Sequence, residues 1–112
     1  MSQKTEDESQ IRLLLSLLQS LEKQIEQSPS DINSIRHYLT DILSLWQQIL
    51  QTQEDSVTIL TEINRSLRLL ETDLLILQSA RTPKNFTQRF LIFQQRLKQA
   101  IGFCTLILTK HG

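Results

Sequence analysis

Apolar residues return along this chain at alternating steps of three and four. Ile11, Leu14, Leu18, Leu21 and Ile25 form a first stripe, and Ile32, Ile35, Leu39, Ile42, Trp46 and Ile49 a second. A third runs through Leu60, Ile63, Leu67, Leu70, Leu74 and Leu77. A fourth runs through Phe86, Phe90, Phe93, Leu97, Ala100, Cys104 and Ile107. Steps of three and four lay a single apolar line along a helix, whereas a half-buried strand alternates at every second residue. Polar breaks punctuate the stripes. Ser28-Pro29-Ser30-Asp31 predicts a helix start with Ser28 as cap, Pro29 in the first position and Asp31 completing a capping-box-like pair. Ser79 to Pro83 predicts another, with Thr82 as cap and Pro83 first.

Residues 51–56 give two signals that conflict. They contain neither Gly nor Pro, and beyond them the stripe resumes in unchanged heptad phase, which favours one continuous helix. Against that, the core positions there would be the polar Gln53 and Ser56, and Thr52 with Asp55 forms a possible cap. A single helix of roughly 50 residues would also far exceed the usual length. The weight falls on two helices. The expected fold is an all-α antiparallel helical bundle of about four helices, near 8–27, 29–51, 54–79 and 83–110, with fusion of the middle two as the alternative. Residues 1–8 lack apolar periodicity and are expected to form a disordered acidic tail, leaving 9–112 as a single helical-bundle domain.

Composition supports the helical reading. The 112 residues include 21 Leu, 12 Ile and 14 Gln but only 1 Val, 2 Gly and 2 Pro. A sandwich or barrel needs many turn residues and β-branched strands, and a doubly wound α/β fold needs more turn signals than these. No apolar run approaches the ~18–20 residues that span a bilayer. Cys104 stands alone, so no intrachain disulfide forms, and the polar N-terminus lacks the apolar core of a signal peptide; a cytoplasmic location is expected.

The apolar surface exceeds one stripe per helix. Leu13 and Leu17 lie off the first line, Leu74-Leu75-Ile76-Leu77 is apolar all round, and the last helix adds Leu91, Ile92, Phe103 and Leu106. Helices apolar on several sides are buried on several sides. A homodimer is therefore expected, with Leu13, Leu17, Leu75, Ile76, Ile92, Phe103 and Leu106 as interface candidates.

Charge is balanced only in total. Residues 1–73 hold all 12 acidic side chains and 6 basic ones, while residues 74–112 hold 6 bases and no acid. Such a split predicts either pairing between the two parts or an acidic partner for the C-terminal part. Arg81, Lys84, Arg89, Arg96 and Lys98 are the candidate partner-binding bases, and Arg89 and Arg96, seven apart, share a helix face. Their guanidinium forks suit carboxylates or phosphates. A nucleic-acid partner is the second reading; a pI near 6.7 and the lack of a helix-turn-helix weigh against it.

Enzyme chemistry finds no support. His37 and His111 are the only imidazoles, with no HExxH, no Cys/His metal spacing and no glycine-rich phosphate loop. No catalytic residue, metal site or cofactor is expected. His37 reads as half-exposed, Cys104 as a small buried hydrophobe, Trp46 as core. Glu54-Asp55 and Glu71 with Asp73 read as solvated helix surface or caps. Gly102, inside the last helix, reads as tolerated rather than required for close packing.

The Leu/Gln-rich texture, the acidic start, the segment WQQILQ (46–51) and the segment NFTQRFLIFQQRLKQA (85–100) together resemble the PatD family, heterocyst frequency control proteins of filamentous cyanobacteria. The resemblance covers most of the chain and rests on size and composition rather than a diagnostic motif. It implies a dimeric, non-enzymatic helical regulator that binds the tubulin-like cell-division protein FtsZ, affects its filament assembly and so influences cell division and heterocyst frequency.

Overall fold

A computed structural model describes residues 2–52 and 58–111, with side chains described over 8–51 and 60–109. Four helices account for it: α1 Ser2–Gln27, α2 Ile32–Thr52, α3 Thr58–Gln78 and α4 Pro83–His111. Each packs on its neighbours in sequence, and α4 closes the ring against α1, which makes an up-down-up-down bundle measuring 51 × 23 × 21 Å. The break near Gln53, and Thr52 with Asp55 as its cap, lie outside the described residues. The reversal on either side of it is clear, however. Trp46 Nε1 donates to Asn64 Oδ1 at 2.8 Å, although the two would stand about 27 Å apart on one straight helix.

α2 begins three residues later than the sequence pattern predicts, and its cap is Asp31 rather than Ser28. Asp31 Oδ1 accepts from the Ser34 amide at 3.2 Å and Oδ2 from the Ser34 hydroxyl at 2.8 Å. Ser28 instead prolongs the last turn of α1, its amide donating to the Gln24 carbonyl, and Pro29 sits in the connecting turn. A carboxylate that serves two donors at a helix N-terminus, where the dipole favours negative charge, outcompetes a single hydroxyl. α1 starts at Ser2, six residues before the predicted start near 8, so the helical backbone runs through the acidic segment read as a tail. That segment holds no Gly or Pro, and adding turns to an existing helix costs far less than nucleating one.

The four stripes meet on the axis. All five residues of the first stripe are buried, as are Ile35, Leu39, Ile42, Trp46 and Ile49, all six of the third, and Phe93, Leu97, Ala100, Cys104 and Ile107. Leu45, off its predicted line, is buried too. Phe86 and Phe90, placed on the core face by their spacing, are only half-buried, and so is Ile32. Gly102 is exposed, and a Cβ built on it meets nothing within 4 Å. Gly102→Ala should therefore stabilise the protein by roughly 0.5–1 kcal/mol through helix propensity alone, seen as a higher melting temperature with unchanged CD at 25 °C.

Candidate protein-interaction surface

The end of the bundle where α3 hands over to α4 is built by a short turn. The Ser79 amide donates to the Ile76 carbonyl at 3.1 Å and the Ala80 amide to Leu77 at 3.2 Å, closing α3. Thr82 Oγ1 then accepts from the Asn85 amide at 3.1 Å and starts α4 with Pro83 in its first position, as the sequence predicts. The register is set further along. Arg96, 13 residues past Pro83, donates through Nε to Asp73 Oδ2 at 3.2 Å, and Asp73 lies five residues short of the end of α3.

Phe86 and Phe90 are only half-buried at this end of the bundle; Phe90 packs against the edge of the core, and the two rings stack on one another, with centroids 5.8 Å apart and planes 17° from parallel. Arg81, Lys84 and Arg89, on the same stretch, are exposed. None of the three enters an ion pair among the described residues, where the pairs are Arg96–Asp73 and Arg68–Glu71.

The five candidate bases do not form one face. Arg96 is committed to Asp73, a carboxylate read from sequence as solvated surface but only 9% exposed. Burial of Asp73 follows from its place three residues after Leu70, on the flank of α3 turned toward α4, where a partner charge is needed to offset desolvation. Lys98 is exposed, but two residues turn a helix by 200°, which puts it on the other side from Arg96. Arg81, Lys84 and Arg89 remain free of ion pairs among the described residues at the start of α4, but Lys84, two residues before Phe86, lies on the other side of the helix from that ring, and only Arg89, three residues after Phe86, shares its side.

Of the dimer candidates, Leu13 (53%), Leu75 (64%) and Leu106 (44%) are exposed. Leu17, Ile76, Ile92 and Phe103 are half-buried, with Leu17 and Phe103 packed against the core. Leu50 and Leu91 are also exposed. These side chains are spread over all four helices. One groove between α2 and α3 holds one of them, Leu75: Leu39 and Leu74 form its floor, Leu43 and Leu75 its sides, Arg36 and Glu71 its charged rim. A second, more polar groove between α3 and α4 is lined by Glu62, Arg65, Arg96 and Gln99.

Covalent chemistry has little to work with. Among the described residues no group of His, Cys, Asp or Glu could hold a metal ion, and no helix is long and apolar enough to cross a membrane. His37 is exposed on α2. Burial pushes the Cys104 thiol up to about 12, so at neutral pH it carries no thiolate to act as nucleophile.

Comparison with known proteins adds one match. The family model of the CRR41 C-terminal domain aligns with residues 7–105. The chain belongs to the CRR41 C-terminal domain family. The matched stretch runs from the first turns of α1 to Thr105 in α4 and so takes in part or all of each of the four helices. No curated protein and no solved structure matches the chain.

Proposed function

We propose that this protein is a non-enzymatic, cytoplasmic regulatory module that binds an acidic segment of another protein and works as a homodimer. The observation that supports this best is that Arg81, Lys84 and Arg89, at the start of α4, are exposed and without an ion-pair partner among the described residues, with Arg89 on the side of the half-buried Phe86–Phe90 pair. Aromatic and arginine side chains together are the usual energetic centre of a protein interface, and one-signed charge steers an oppositely charged partner. A dimer carries two such ends, so a polymeric partner is held by avidity. The PatD resemblance nominates FtsZ, with effects on its filament assembly, on cell division and on heterocyst frequency.

The test is titration of the purified protein with FtsZ and, in parallel, with duplex DNA. Reversing Arg81, Lys84 and Arg89 to Glu should weaken FtsZ binding about tenfold or more with the helical CD unchanged, while Lys98→Glu should have little effect. Arg96 is left alone because its change would strand buried Asp73. Binding to DNA and not to FtsZ at physiological salt would replace this reading with the nucleic-acid one. Undiminished FtsZ binding by the folded triple variant would remove the α3–α4 end as the site.

A further inference from the structure

We infer that the α2–α3 groove is the surface through which two copies of this chain associate, related by a two-fold axis that passes near Leu75. The inference rests on the homodimer part of the proposed function and locates it on the side of the bundle, away from the basic end. Among the described residues α2 and α3 are the least closely packed of the four neighbouring pairs, and the groove follows their seam. Leu75 on its side is the most exposed large apolar residue described, at 64%. Arg36, Leu43 and Leu50 recur at seven-residue steps and so share one line along α2, and Leu50 is exposed as well.

The groove's charges fit a second copy better than a partner of one sign. Arg36 stands level with the end of α3, donating to the Gln78 side-chain carbonyl through Nε at 2.9 Å with the amide oxygen turned toward it. Glu71 lies seven residues earlier on α3, about 10 Å along the groove, and Leu75 lies midway between the two levels. An antiparallel two-fold at Leu75 interchanges those levels. Arg36 comes level with Glu71 of the partner subunit, and the reverse pair forms by symmetry, while Leu75 meets its own counterpart at the axis. A self-complementary patch of this kind is what an isologous dimer requires. Glu71 now pairs with Arg68 at 3.6 Å, both side chains about half exposed, a contact weak enough to be exchanged. The 51 × 23 × 21 Å bundle offers a side wide enough for the ~800 Å² per partner of a standard interface.

Light scattering and sedimentation equilibrium on the full chain test this. The wild type should run at twice its 13.1 kDa chain mass. Leu75→Glu should raise the dimer dissociation constant about a hundredfold, with helical CD retained because the side chain already faces solvent. Arg36→Glu and Glu71→Arg should each weaken the dimer about tenfold, and the two together should restore it. A dimer unaffected by Leu75→Glu overturns this interface and leaves the homodimer reading standing. Failure of the double charge exchange to restore affinity overturns the two-fold pairing. A wild type that stays monomeric at its highest soluble concentration overturns both, and gives the groove to a helix of another protein.

Discussion

Trp46→Ala should cost this protein about 3–5 kcal/mol of folding stability, enough to bring a domain of this size close to unfolding. Trp46 is fully buried and heads the buried side chains by volume. It belongs to the core cluster, and its indole N–H is satisfied across the α2–α3 seam by Asn64 Oδ1 at 2.8 Å. Truncation opens a cavity in close-packed surroundings and removes a side-chain hydrogen bond between α2 and α3, leaving Asn64 Oδ1 without that donor. Trp46→Phe separates the two effects: it keeps most of the ring volume and should lose roughly 1–2 kcal/mol. Urea unfolding followed by far-UV CD reads both, and equal losses for Ala and Phe would show that the cavity contributes little.

Alkaline pH should destabilise the fold with a slope set by one residue. Cys104 is buried on the α4 stripe, and its thiol is raised from 9.0 to about 12 by desolvation. In the unfolded chain the thiol ionises from about pH 9, while in the folded chain it stays protonated until about pH 12. Across that window the native state binds the extra proton, so stability falls as pH rises, by about 1.4 kcal/mol per pH unit and about 4 kcal/mol in all. Below pH 9 the thiol is neutral in both states and has no effect. Cys104→Ala should be slightly less stable at pH 7 but lose much less between pH 9 and 12. Parallel stability curves for the two proteins would contradict the assignment.

Much of this architecture can be read from spacing alone. The first and third stripes are buried at every position, because each is a long run of Leu and Ile at one angle with no competing apolar line of equal strength. Thr82 and Pro83 start α4 as expected because a hydroxyl cap followed by proline leaves little alternative. Asp31 displaced Ser28 because the competition between two adjacent caps is settled by which one finds a second donor, here the Ser34 hydroxyl. The candidate site was less legible. Arg96 and Arg89 share an angle, but only Arg96 has Asp73 beside it, and only the axial offset of α4 against α3 decides that. Phe86 and Phe90 carry the same periodic signal as Phe93, yet only Phe93 is fully buried, because they lie nearer the end of the bundle, where periodicity marks an angle but not a depth. Asn64 gave no sign of its own; the signal for it was Trp46, whose buried N–H required an acceptor somewhere within reach.

The neighbour-to-neighbour order of the bundle also bears on how the chain finds its shape. Three of the four helix contacts join segments adjacent in sequence, so the entropy of bringing them together is that of short loops. Only the meeting of α1 with α4 spans the molecule. Topologies of this low contact order fold in microseconds to milliseconds. Most of the native contacts between helices are thus reached by closing short loops, and the meeting of the first and last helices is the closure that costs the most chain entropy.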